Sequence, residues 1–377
     1  MELLPVLLSV LLLSAGNPSS GDAPSGIEAR PGLVLDVGVA LTMEERKVIH
    51  NARILIADGK IQAVGSRRAL EIPSGWKHLS YPDSFAFPGA VDIHSHIQTG
   101  GFEDVNDMVN PDNPELRVLD TVRPWNRLYR DACAGGVTLL NGIPGSGTNI
   151  SGAGALVKAR PSSRVDEVVL RSLGCIKVAQ GHNPERRGGD LGASRMGMWW
   201  MLRWWIARGR EAFETGHPKR FPDVAQLAGV FQGRYPFLVH TADARDTYGT
   251  VRMFQLEAGV PVVVSPASFH GYLAAREIAR VQAPLNVGPR NFDHSFNKQN
   301  RIQGLVQAYE AGGNTDISVQ TDATVVPPEE FLYQATLAER LGCSTWIALE
   351  SINAKPARHI LADHRVGRIR PGLDADI

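Results

Sequence analysis

The chain has 377 residues with 39 basic and 39 acidic side chains, so its formal net charge is zero. That balance argues against a nucleic-acid partner or a polybasic membrane surface, and the length suits two domains or one large barrel with an appendage. Cys133, Cys175 and Cys343 are widely spaced, with no Cys-x-x-Cys, so they indicate neither a disulfide framework nor a cysteine metal site. At the N-terminus Leu3 to Leu13 is an apolar run of signal-peptide length, and Ser14-Ala15-Gly16 supplies small residues after it. A positive n-region is missing, because Glu2 is the sole charged side chain there. The run is too short to span a membrane. Residues 1–26 are expected to be a signal peptide and linker, which puts the mature protein in the periplasm or outside the cell; if the leader is no signal, the protein is cytoplasmic.

Residues 27–85 read as the first part of a small β-domain. Leu35, Val37 and Val39 alternate, Arg53 to Ile56 and Ile61 to Val64 are short apolar runs, and Asp58-Gly59 between them is a hairpin signal. Next comes Phe87-Pro-Gly-Ala-Val-Asp-Ile-His-Ser-His96. Val91 and Ile93 suggest a buried strand. Residues i and i+2 of a strand point the same way, so His94 and His96 aim two imidazoles at one point. Two neutral imidazoles on a rigid strand make half of a site for Zn²⁺ or a similar ion.

From His94 onward strands and helices alternate, as in an α/β barrel. Ala134 to Leu140, Gly174 to His182, Pro236 to His240, Val260 to Val264, Pro284 to Gly288 and Asp316 to Asp322 are the strand-like pieces. The glycine-rich stretch Gly142 to Gly154 lacks Gly-Lys-Ser/Thr, so it is read as a βα loop rather than a phosphate cradle. Met196 to Phe213 reads as a helix whose Trp199, Trp200, Trp204 and Trp205 are expected to be largely buried.

These motifs resemble the metal-dependent amidohydrolase superfamily. Phe87 to His96 is similar to its strand-1 signature, and Asp58 to Gly65 together with Arg365 to Ile377 looks like its small β-domain. Its imidazolonepropionase-related branch is the most similar. The resemblance covers about residues 32 to 377. It implies a (β/α)8 TIM-like barrel over residues 86–360 and a small β-sandwich domain built from both chain ends, with 361–377 returning to it and stopping short of the usual last strand. It also implies a divalent metal, zinc foremost with manganese or iron as alternatives, in one or two copies. His94 and His96 match the strand-1 ligands, His240 the strand-5 ligand, and Asp322 the strand-8 aspartate that touches metal and takes the proton of its water.

The sequence departs from the family's pattern twice. Gly181-His-Asn-Pro184 stands where relatives have Gly-Glu-Asn-Pro, so His182 replaces an acid. Lys177, five residues earlier, matches a lysine that some relatives carbamylate, and its parity along the strand is opposite to that of His182. After Val264 the chain reads Ser265-Pro266 where the strand-6 histidine is expected. Either His270 swings back into the site or that ligand is lost. Lys177, His182 and His270 are therefore further metal-ligand candidates. Arg186, Arg187, Arg195 and Arg245 are candidates for gripping a substrate carboxylate, while His217, His294, His359 and His364 are read as structural.

Two functions remain open. One is hydrolysis of a non-peptide C–N bond in a small molecule: a cyclic amide, an imidazolone-like ring, or a small N-acyl or dipeptide-like compound. The other is a decayed relative that binds a ligand or partner without turnover.

Overall fold

A computed structural model describes residues 31–101, 103–185, 192–217, 224–294 and 301–377. The leader expected at 1–26 and the side chains of Arg186 and Arg187 lie outside the described residues. No helix among the described residues is long and apolar enough to cross a membrane.

The N-terminal strands β1 (Leu33–Leu41), β2 (Val48–Ala57), β3 (Lys60–Ser66) and β4 (Lys77–Ala86) form one sheet in the order β3-β2-β1-β4. The β2–β3 turn is Asp58-Gly59, with φ of 51° and 70°. Two successive positive φ values match the right-handed twist of a hairpin, and Asp-Gly tolerates them. One face buries Val37, Ala40, Ile54 and Ile61. Asp36 and Arg53 sit opposite each other on β1 and β2, joined by two 2.8 Å hydrogen bonds. The last residues of the chain return to this sheet: Ile61 N–H donates to Leu373 O (2.9 Å), and Ala375 N–H to Gly59 O (2.9 Å). Ile369 joins the same apolar cluster.

The remaining strands are β5 (Ala90–Ser95), β6 (Val137–Gly142), β7 (Ile150–Ala153), β8 (Ala155–Lys158), β9 (Val169–Arg171), β10 (Ile176–Ala179), β11 (Phe237–His240), β12 (Val262–Val264), β13 (Leu285–Val287), β14 (Phe292–His294), β15 (Ile302–Gly304) and β16 (Ile317–Val319). Among the described residues β14 and β15 pair with each other alone. A six-stranded sheet runs β16-β13-β12-β11-β10-β7, and a four-stranded one β5-β6-β8-β9. β10, β11, β12, β13 and β16 are mutually parallel, as are β5 and β6. A parallel bridge from Ser95 to Ala323 links the two sheets at one end. At the other, Gly174 N–H donates to Gly154 O (2.6 Å) and Gly154 N–H to Cys175 O (3.0 Å). The central strands are apolar, β-branched and buried, Val262 to Val264 for instance, as expected of a parallel sheet covered on both faces.

Helices cover these strands: α1 (Arg127–Ala134), α2 (Arg195–Glu214), α3 (Ala225–Phe231), α4 (Ala244–Thr250), α5 (Ala275–Ala279), α6 (Leu305–Ala311), α7 (Phe331–Arg340), α8 (Thr345–Glu350) and α9 (Ala354–His359). Side-chain caps mark several starts, with Asn126, Ser194 and Asp243 accepting from backbone N–H groups of α1, α2 and α4. The tryptophan helix forms where the sequence places it, but its aromatic surface divides. Trp205 packs inward with Met201, Leu202 and Ile206, whereas Trp200 and Trp204, one turn apart, are exposed. The Arg208 guanidinium lies 4.6 Å from the Trp204 ring centroid. Four tryptophans at consecutive and i+4 positions spread around the helix, so one apolar stripe cannot bury them all.

Candidate metal centre

The site is built at the ends of β5 and β16. All six residues of β5 are buried, which leaves its polar side chains only internal partners. The imidazoles of His94 and His96 sit edge to face, 5.6 Å between centroids. Asp322 lies three residues beyond β16. Its Oδ1 is 3.5 Å from His94 Nε2 and 3.1 Å from His96 Nε2. One ligand atom from each of the three residues falls within 4.8 Å of the other two.

Each imidazole is oriented from behind. His96 Nδ1 is 2.9 Å from Ile143 O; a carbonyl only accepts, so Nδ1 carries a proton, and Nε2 is the atom that faces Asp322. His94 Nδ1 lies 2.7 Å from Ser265 Oγ. The buried Asp92 carboxylate accepts from His94 N–H (3.0 Å) and from the Thr321 hydroxyl, tying the end of β5 to the segment that carries Asp322. Burial, with nearby Lys177 second, lowers the His94 pKa well below the usual range, so the ring is neutral. Burial alone would raise that of Asp322, but His94, His96 and Lys177 outweigh it and hold the carboxyl ionised, well below the ordinary range. Two imidazole Nε2 atoms facing one carboxylate oxygen are the donor set a divalent ion requires.

The other candidates divide into near and far. His240 ends β11, is 8 % exposed and lines the same cleft as Asp322. Burial pushes its pKa down to about 3, with Lys177 contributing. Lys177 on β10 is fully buried, and its Nζ has no hydrogen-bond partner among the described residues. Burial lowers its pKa to about 8 against the pull of Asp322. An orphaned ammonium among buried ligand-type side chains marks a place where a further negative group is missing. The strand ends at Ala179, between Lys177 and His182, so the opposite parity of the two places no constraint on them. His182 is exposed, at φ 55°, its N–H donating to Glu185 (3.0 Å).

His270 is not brought to the three-residue group. It is exposed, with Nε2 3.6 Å from Asp293. Ser265, directly after β12, occupies the strand end instead. Of the arginines, Arg195 is held by Asp246 (2.6 Å) and Arg245 by Asp243 (2.9 Å), so both brace the loop after β11.

The cleft over the site has a volume of about 650 Å³. His240 and Asp322 form part of its lining, Phe269, Phe292 and Leu305 give it apolar walls, and Arg290 and His294 line it as well. Arg290 and His294 were missed in the sequence. They follow β13 in a stretch with no strand-end histidine, and only the Gly288-Pro289 turn hinted at a loop over the site. His294 was read as structural and is instead a cleft residue.

A crystal structure of an amidohydrolase from Thermotoga maritima MSB8 superposes with a TM-score of 0.78, covering 91% of this chain and 92% of that one at 24% identity. The chain has an amidohydrolase fold. A structure of molinate hydrolase aligns with a TM-score of 0.57 at 14% identity, over 92% of this chain and 88% of that one. A prolidase complexed with N-methylphosphonate-L-proline gives 0.55 at 13% identity, over 91% of each chain. By sequence, Amidohydrolase tasK of Hapsidospora irregularis is 23% identical over 415 residues. That match takes in 99% of this amidohydrolase-like chain but 41% of the relative, so the chain spans about two fifths of the relative's length. No protein-family model matches.

Proposed function

We propose that the chain is a metal-dependent amidohydrolase acting on a C–N bond of a small molecule. The observation that carries this reading is the convergence of His94, His96 and Asp322, with both imidazoles held through Nδ1. In this reading His94, His96, His240 and Asp322 hold one or two divalent ions, zinc foremost with manganese or iron as alternatives. Lys177, as its carbamate, joins them, since its buried Nζ lacks a hydrogen-bond partner. The ion supplies an acidified water and polarises the scissile carbonyl. Asp322 accepts the proton of the attacking water and passes it to the leaving nitrogen, for which an ionised carboxylate beside the reacting atoms is suited. The buried imidazoles cannot take that proton while their lone pairs serve as ligands.

The cleft favours a small N-acyl or dipeptide-like substrate over a bare ring. Arg290 makes no ion pair among the described residues, and its planar guanidinium suits a free carboxylate. The apolar walls suit an uncharged body between carboxylate and scissile bond. The same reading treats the two parallel sheets as arcs of one (β/α)8 barrel flanked by a β-sandwich domain, assigns the chain to the imidazolonepropionase-related branch on its motifs, and keeps residues 1–26 as an export signal. The second reading, ligand binding without turnover, is favoured only by Ser265 in place of a strand-6 ligand.

A panel of acylated amino acids, dipeptides, lactams, hydantoins and imidazolones, assayed with and without added zinc or manganese, separates the two. Metal-dependent turnover is expected, best with carboxylate-bearing members, and Asp322→Asn should lower kcat by about 10²- to 10⁴-fold. Metal loading without turnover of any member would support the second reading.

A further inference from the structure

Ser265, directly after β12, and Asn286, on the adjacent parallel strand β13, are buried completely. Asn286 Nδ2 donates to Val319 O (3.1 Å) and Ser318 Oγ (2.8 Å). Val319 O only accepts, so the amide orientation is fixed and Oδ1 faces Ser265. Ser265 Oγ lies 2.7 Å from that oxygen, and its single proton must go there. The lone pairs of Oγ are then left for His94 Nδ1, also 2.7 Å away. His94 must donate, so its proton sits on Nδ1 and its Nε2 lone pair faces Asp322. The chain continues inward: Ser318 Oγ donates to Leu285 O (3.2 Å) and lies 3.0 Å from His359 Nδ1. The steps from Val319 O through Asn286 and Ser265 to His94 each have one allowed direction, and a satisfied buried network holds one arrangement.

We propose that Ser265 is a positioning residue: the end of β12 orients the ligand His94, with Asn286 behind it, and supplies no ligand itself. This rests on the metal-hydrolase reading for its consequence but not for its geometry. His94 is thereby locked in the tautomer that leaves Nε2 free for metal. Hydrogen bonds of this kind behind a histidine ligand change metal affinity by about 10- to 100-fold when removed.

The test has two arms. In metal-free wild-type protein, ¹⁵N NMR of the imidazoles, with His94 assigned through His94→Gln, should report the Nδ1–H tautomer; an Nε2–H His94 overturns the proposal. In the second arm Ser265→Ala and Ser265→Thr are titrated with zinc against a competing chelator, and the Tm of each metal-free protein is recorded. Ser265→Ala should bind zinc about 10- to 100-fold more weakly and lower the metal-free Tm, since Asn286 Oδ1 and His94 Nδ1 lose their partner, and Ser265→Thr, which keeps the hydroxyl, should restore most of the affinity. Wild-type affinity in Ser265→Ala, or equal losses in both variants, overturns the proposal. If wild-type protein itself binds no metal, the functional reading fails, and the tautomer measurement still decides this one.

Discussion

The two sides of the candidate centre are built by opposite means. On the β5–β16 side, His94, His96 and Asp322 converge because each is held from behind: Ser265 and Ile143 O fix the imidazoles, and Asp92 and Thr321 tie the strand ends together. On the β10–β11 side, Lys177 and His240 are equally buried, yet Lys177 Nζ has no hydrogen-bond partner and His240 stands outside the three-residue group. On one side protein holds the far edge of each imidazole and leaves Nε2 facing Asp322; on the other a buried ammonium lacks a hydrogen-bond partner, which points to a group added on binding.

The largest test of that contrast is His96→Ala against His270→Ala. The first should abolish metal retention and hydrolysis. The second should leave both unchanged, since His270 is exposed beside Asp293. Loss of metal in His270→Ala would place the centre elsewhere in the cleft. Lys177→Met comes next. It exchanges a buried ammonium without a hydrogen bond for an apolar chain of similar length, so metal-free stability should rise by roughly 1–3 kcal/mol while metal-dependent activity falls. A lower denaturation midpoint for the metal-free variant would show that Lys177 is satisfied in the folded protein.

The N-terminal sheet offers the converse, a buried charge that protein satisfies fully. Hydrogen bonds from Arg53 foremost hold the Asp36 carboxyl below its ordinary pKa, with His78 helping. A carboxylate whose folded-state pKa is depressed stabilises the fold above its unfolded value, and that contribution is lost as the pH falls through the folded one. Asp36→Ala should therefore cost about 3 kcal/mol at neutral pH, leaving Arg53 buried and unpaired. It should also flatten the loss of stability below about pH 4, with metal affinity untouched. An acid profile identical to wild type in chemical denaturation would refute the assignment. The smallest effect is expected at the β2–β3 turn. Gly59→Ala meets no atom within 4 Å but must hold φ near 70°, so it should cost about 1 kcal/mol and nothing in activity.

The half of the site on one strand was legible in the sequence and the half made between strands was not. His94 and His96 share a face because a strand has a period of two, and Asp58-Gly59 announces its turn by composition. Asp322 was found through the resemblance, as the match to the strand-8 aspartate. By contrast, Ser265 acts on His94 across 171 residues of sequence, and nothing local separates it from any serine before a proline. His270 was attractive because it is the histidine nearest the expected position, yet the chain after β12 turns it to solvent beside Asp293. Trp200 and Trp204 were expected to be buried from composition, but a helix can offer only one side to the sheet.

If His94, His96 and Asp322 hold a catalytic ion, metal content per chain, measured by elemental mass spectrometry on wild type and His94→Ala purified without chelator, tests it most directly. Wild type should carry about one or two equivalents of zinc, manganese or iron and the variant almost none. Wild-type protein that stays empty after reconstitution, or a His94→Ala protein that keeps its metal, would contradict it.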